Sequence, residues 1–244
     1  PSSGATFGKN PTVSATASSS AGIKQVDFLA YYDGYDADGD GVYADYQRSY
    51  HLRRNAGEVF PISNHVGTAT SAPYQVTWDT ALVPDQATGA VKLQARIQDN
   101  NGVWFVTNEV SNLTLQRSGE TVQLYRAANV PEKMVVRAGR THTSTFTIPS
   151  GQDLSKATSA KLLIATWNGV DGAAEPGQEH HIKVNNWSAP DSAYGANHFY
   201  SYDVVDVPVN QLRNGENVFE VHSESIHHGI EVLWPGPGVL VTYS

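Results

Sequence analysis

The chain has 244 residues, 40% of them hydrophobic, and its 16 Lys and Arg face 24 Asp and Glu for a formal net charge of −8. That balance argues against nucleic-acid binding, which needs a basic surface to neutralise phosphates. No run of about 20 apolar residues is present to enter a membrane, and the absence of cysteine excludes both a disulfide scaffold and a thiolate-bound zinc. Only 16% of residues are charged, while Gly (21) and Tyr (12) are plentiful, a balance that favours strands joined by turns over helices. The chain opens at Pro1 with no signal peptide, as expected of a fragment of a larger protein.

Residues 1–20 are rich in Ser, Thr, Ala and Gly and read as an interdomain linker running into a first strand. Val26 to Tyr32 is a strand pattern, and Pro73 to Trp78 is another after a long polar stretch. Ala90 to Ile97 alternates with period two: Val91, Leu93, Ala95 and Ile97 share one face, and Lys92, Gln94 and Arg96 share the other. Asp99-Asn-Asn-Gly102 is a turn, with closing strands at 103–106 and 112–115. Arg117-Ser-Gly119 marks a boundary. Beyond it, strands are predicted at 122–125, 134–137, 142–148, 160–167, 180–185, 202–209, 217–224, 229–234 and 238–243, and no segment carries a helical stripe. The predicted fold class is all-β, with two β-sandwich domains: 1–117, carrying an insertion over 33–71, and 118–244.

Within that insertion, Asp36-Ala-Asp38-Gly-Asp40-Gly41 places carboxylates at alternate positions before a glycine. Such spacing lets a tight turn gather oxygens around a hard cation, so Ca2+ is the expected cofactor, with Asp33 and Asp45 as flanking ligands. The twelfth position of the loop is Gln47 rather than Glu, and the surroundings are β-rich. A free-standing calcium loop is therefore expected rather than a helix-loop-helix, the alternative being a solvated acidic turn. Tyr31, Tyr32, Tyr35, Tyr43, Tyr46 and Tyr50 crowd the same stretch, either to pack it down or to stack on sugars.

In the second half, Phe219 and Val221 alternate with Glu220, His222 and Glu224, and Ile182 and Val184 alternate with His181 and Lys183. If strands 180–185, 217–224 and 229–234 share a sheet, its polar face gathers His181, Glu220, His222 and Glu224, with Glu231 nearby. Three readings stay open. One is a carbohydrate site, using those groups with Trp187, Tyr200 or Trp234 as stacking rings; Trp167, Tyr194 and Tyr202 are further ring candidates. Another is a metal or catalytic centre drawing on His180, His181, His222, His227 and His228, or on a Glu220–Glu231 acid–base pair. The third is an ordinary solvated face.

Val26-Asp-Phe28, Ala72-Pro-Tyr-Gln-Val-Thr-Trp-Asp79, the alternating 91–97 strand and Asp99-Asn-Asn-Gly102 together resemble a bacterial Ig-like domain over residues 9–116. Such modules serve as spacers in multidomain surface enzymes. Ala157–Thr166, Ile182-Lys-Val-Asn-Asn-Trp187, Val207-Pro-Val209 and Leu212-Arg-Asn-Gly-Glu-Asn-Val-Phe-Glu-Val221 resemble the galactose-binding-like jelly rolls attached to polysaccharide lyases and glycoside hydrolases. There the turn usually reads Val-Asn-Gly-Trp; here Asn186 stands in the glycine's place, a mild change because Asn tolerates positive φ. Together the resemblances imply a secreted or cell-surface, non-catalytic carbohydrate-binding region. Its partners would be a polysaccharide or glycan and other domains of the same protein, with no nucleic acid and no membrane insertion. The alternatives are a structural spacer or adhesion module, and a polysaccharide lyase or hydrolase.

Overall fold

The computed structural model describes residues 1–35, 51–54, 58–61, 65–169, 179–191 and 198–244, with backbone alone for 51–54, 58–61 and 199–200. Two compact units emerge. One draws on Pro1–Gly34, His51 and Pro61–Glu120, the other on Tyr35, residues 52–54 and 58–60, and Thr121–Ser244.

The first ten strands are β1 (Thr6–Phe7), β2 (Thr12–Ala15), β3 (Ile23–Tyr31), β4 (His51–Arg54), β5 (Glu58–Pro61), β6 (His65–Ala69), β7 (Tyr74–Thr77), β8 (Val91–Asp99), β9 (Trp104–Val106) and β10 (Val110–Leu115). One sheet runs β1-β10-β8-β3-β6, with β9 also on β8; β2 pairs with β7, and β4 with β5. The opening segment, expected as a linker, supplies β1 and β2 instead. Its Thr12-Val-Ser-Ala15 has the period-two pattern, and Val13 is buried in the core. Likewise 65–69, expected within the insertion, is a sandwich strand paired with β3.

The β3–β8 register sets Val26 opposite Ile97, Phe28 opposite Ala95 and Ala30 opposite Leu93, so the alternation read from sequence becomes one apolar face. That face packs with Val13, Leu113, Leu115 and Trp78. Each fully buried Val, Leu or Phe contributes roughly 1.5–3 kcal/mol. Trp78 lies 5.6 Å from Phe7 and 6.0 Å from Tyr32, so it is a core residue, and burial raises the Tyr32 phenol pKa to about 12. The turn after β8 is held by the Asp99 carboxylate, which accepts from the Asn101 and Val103 N–H groups, both at 2.9 Å. Arg117, in the expected boundary, is sealed in. Its guanidinium donates to Asp85 Oδ1 at 2.8 Å and to the carbonyls of Thr80 and Val83, each at 2.7 Å.

The second unit contains β11 (Thr121–Arg126), β12 (Val135–Val136), β13 (Arg140–Ile148), β14 (Ala157–Asn168), β15 (His180–Val184), β16 (Trp187–Ser188), β17 (Phe199–Asp206), β18 (Gly215–Ser223), β19 (Ile230–Val232) and β20 (Gly238–Tyr243). A six-stranded sheet runs β11-β20-β14-β19-β12 with β17 also on β14, and a four-stranded sheet runs β13-β18-β15-β16. Among the described residues, 3-10 turns at Leu154–Lys156 and Val209–Gln211 interrupt the strands. Phe146, Ile148, Ile182, Val184, Phe219 and Val221 of the smaller sheet close on Leu162, Ile164, Val205, Val232, Val239 and Val241 of the larger one.

Two members of the tyrosine cluster have packing roles. Tyr32 lies in the first core, and the buried Tyr35 belongs to the second unit. Its hydroxyl accepts from the Ala165 N–H at 2.8 Å and donates to the Gly236 carbonyl at 2.9 Å, while its ring stacks on Tyr202 at 5.4 Å. The hydroxyl thereby satisfies β14 backbone where the chain leaves the ladder between β19 and β20.

Candidate functional site

The smaller sheet of the second unit places four of the expected site residues side by side. In register, Thr141 of β13 faces His222 of β18, which faces His181 of β15; the adjoining row is Thr143, Glu220 and Lys183. Because Phe219, Val221, Ile182 and Val184 are buried in the core, the alternate residues point outward.

His181 Nε2 lies 2.7 Å from Glu220 Oε1, and Lys183 Nζ lies 3.5 Å from the same oxygen. An ionised carboxylate can only accept, so Nε2 carries the proton. His222 Nε2 lies 3.1 Å from Glu224 Oε1 and Nδ1 lies 2.8 Å from Thr141 Oγ1. By the same logic Nε2 donates to Glu224, and Nδ1 of a neutral ring accepts from the threonine hydroxyl. The two imidazoles stack at 5.0 Å with an 18° interplanar angle.

Burial holds the His181 imidazole below its ordinary pKa, outweighing the hydrogen bond to Glu220. Burial pulls the Glu220 carboxyl upward, but the hydrogen bond from His181 and the charges of His181 and Lys183 bring it below its ordinary range. An ion pair would raise the histidine, so the two directions do not describe His181 as a permanent cation. They fit a neutral imidazole donating to an ionised Glu220, with Lys183 as the lasting positive charge.

Two asparagine turns anchor this face. Asn185 adopts φ 53°, so the left-handed position in the 184–187 turn is Asn185, not Asn186 where glycine was expected. Its Oδ1 accepts from the Val218 N–H at 2.9 Å, and its Nδ2 donates to Asn217 Oδ1 at 2.8 Å and to the Gln211 carbonyl at 2.7 Å. Asn217 is fully buried; it accepts from the Arg213 N–H at 3.0 Å and donates to the carbonyls of Arg213 and Gly215 at 2.8 and 3.1 Å. Two of the segments that carried the jelly-roll resemblance, 182–187 and 212–221, are thus tied together, fixing β15 against β18.

Other expected residues lie elsewhere. Trp187 pairs with Val184 and packs on the core, because it falls on the inward side of β16. Trp234 is 55% exposed, beyond β19 of the larger sheet. Tyr200 lies on β17, with its side chain outside the described residues. His180 shares the inward register of Ile182 and is buried. Strand 229–234 joins the larger sheet, so Glu231 does not join the polar face. Glu220 and Glu231 leave opposite sides of the shared core and are not a pair.

Of the expected calcium ligands, Asp33 is described and exposed; Asp36, Asp38, Asp40 and Asp45 lie outside the described residues, as do Tyr43, Tyr46, Tyr50 and Tyr194. Among the described residues, no group of three or more His, Asp or Glu is placed to hold a metal, and no helix is long and apolar enough to cross a membrane. Sequence reading passed over Lys133, Arg137 and Arg140, which converge on Trp167. Three cations within eight residues of an acidic chain were the available signal.

Both units are β-sandwiches, and residues 1–95 match the family model of a bacterial Ig domain. A search of curated proteins finds no match. Among solved structures, the chain is similar to a β-porphyranase of glycoside hydrolase family 86 from the human gut bacterium Bacteroides plebeius, at TM-score 0.36 and 14% identity, covering 96% of this chain and 33% of that one. It is also similar to the BuGH86 wild-type protein in complex with neoagarooctaose, at TM-score 0.36 and 12% identity, covering 96% and 30%. Fibronectin(III)-like modules of Clostridium thermocellum CbhA align at TM-score 0.29 and 16% identity, covering 89% and 74%. The chain thus spans about a third of the length of the first two proteins.

Proposed function

We propose that the chain is a non-catalytic accessory region of a secreted, multidomain bacterial protein, and that its second sandwich binds polysaccharide. The observation that carries this reading is the outward row of His181, Lys183, Glu220, His222 and Glu224. Three of its four ring nitrogens are held by neighbours, while Oε2 of Glu220 and of Glu224 makes no hydrogen bond among the described residues. Such preorganised acceptors and donors suit the hydroxyls of a sugar at little ordering cost. Binding at one shallow face would be weak and would act by raising the local concentration of attached domains at their substrate. We further propose that Asp33, Asp36, Asp38, Asp40 and Asp45 hold a structural calcium ion, a reading supported by their alternate spacing.

A glycan array probed with the full chain, with and without chelator, tests both proposals. Glycan retention lost in Glu220→Ala and His222→Ala variants with unchanged melting supports the binding reading. No retained glycan identifies a spacer, and new reducing or unsaturated ends identify an enzyme. A melting temperature that ignores calcium and chelator removes the metal.

A further inference from the structure

A second feature of the C-terminal unit lies on the outer side of the larger sheet, next to the start of β13. Val135, Glu231 and Trp167 stand in one row across β12, β19 and β14, on the side opposite the buried Val136, Ile230 and Val232. Lys133, Arg137 and Arg140 surround this row, and together they line a cleft of about 610 Å3. That volume falls within the roughly 300–1,000 Å3 typical of small-ligand sites. The Trp167 indole forms part of the wall, with the His228 ring edge-on at 6.0 Å.

The charge of the cleft runs against that of the chain. Lys133, Arg137 and Arg140 are exposed, and among the described residues none of them forms a salt bridge. Glu231 is the one carboxylate in the lining, against those three permanent cations. Several cations elsewhere are paired, as Lys9 is with Glu120, Lys92 with Glu109 and Lys161 with Asp206; what sets the cleft apart is that three without a salt bridge meet around one indole. Three unpaired cations converging around an aromatic wall form a receptor for a ligand that carries negative charge and an apolar face. The overall −8 charge disfavours long polyanions, but it is screened beyond roughly 8 Å at physiological salt, so a short local anionic segment is the fitting partner.

We propose that this cleft binds an anionic stretch of polysaccharide, with carboxylate or sulfate groups on Lys133, Arg137 and Arg140 and a sugar ring against Trp167. The proposal rests on the polysaccharide-binding reading above and adds a second, charge-selective site. Titration calorimetry of the full chain against matched pairs tests it: dextran sulfate against dextran, and polygalacturonate against its methyl ester. The expected result is binding of at least one charged member over its neutral partner, weakened by raising salt from about 50 to about 500 mM. Arg137→Ala with Arg140→Ala should lose about tenfold or more in affinity, the scale of lost charge-assisted hydrogen bonds. Both positions are exposed, so melting should not change. Trp167→Ala should weaken the same ligand, while Glu220→Ala should leave it unaffected. A sulfate-only response identifies sulfated glycans, a carboxylate-only response uronates, and either supports the site. Equal affinity for charged and neutral members, or binding lost in Glu220→Ala but retained in the arginine variants, overturns the cleft and leaves the first reading standing. Failure of every glycan overturns both. A single-stranded oligonucleotide that binds as tightly as the glycans shows a general anion patch and overturns the sugar assignment.

Discussion

Asn217 offers a sharp test of how the second unit is assembled. Its side chain is fully buried, accepts from the Arg213 N–H and Asn185 Nδ2, and donates to the carbonyls of Arg213 and Gly215. Asn217→Ala removes all four bonds. Two donors lose their acceptor, at about 1–3 kcal/mol each when no water replaces it. The two carbonyls belong to exposed or half-buried residues and are rehydrated at smaller cost. The expected loss is therefore about 2–4 kcal/mol, or about 8–15 °C in melting temperature for a unit of this size. Asn217→Asp is the discriminating partner. It keeps the acceptor but sets a carboxylate oxygen against the carbonyls of Arg213 and Gly215, so its deficit should be greatest at neutral pH and shrink as the carboxyl protonates. Urea unfolding, with hydrogen exchange of β15 and β18 amides to localise the effect, reads both variants. Asn214→Ala is the control, since that exposed side chain bonds only to the Pro149 and Gln152 carbonyls. An Asn217→Ala deficit within about 0.5 kcal/mol, as for an ordinary surface change, would refute the claim that this network fixes the sheet.

Arg117→Lys should cost the first unit about 2–4 kcal/mol in urea unfolding, because an ammonium cannot reproduce the fork that reaches Asp85, Thr80 and Val83. Gly229→Ala should destabilise the second unit by about 1–3 kcal/mol or more, measured by melting, because the new Cβ would run into the Val136 carbonyl oxygen. Acid should weaken the second unit in two stages. A histidine held below its ordinary value of 6.5 takes up more protons when unfolded, so stability is present above that pH and is lost as pH falls towards the folded value. Glu220, held below 4.5, adds a further loss at lower pH, since its contribution is present above the unfolded value and disappears through the folded one. Comparison of melting against pH with His181→Asn isolates the first stage; equal slopes below pH 6.5 would contradict it.

Much of this architecture was legible before any coordinates. The alternation of Val91, Leu93 and Ala95, or of Phe219 and Val221, is a local property of extended backbone, so the sequence specified strands and their buried faces. The outward grouping of His181, Glu220, His222 and Glu224 followed from the same periodicity once their strands proved adjacent. Pairing between distant strands was beyond its reach, because hydrogen-bond register is settled by which apolar faces close on one another. For that reason β19 went to the larger sheet and took Glu231 away from Glu220, and Trp187 turned inward at a sheet edge. The same long-range packing made strands of the Ser- and Thr-rich opening, whose short β1 and β2 find partners far along the chain, Thr6 with Thr114 and Thr12 with Thr77. It also gathered Lys133, Arg137 and Arg140 around Trp167. The sequence could supply their charge, but only the folded chain could give those charges a common focus.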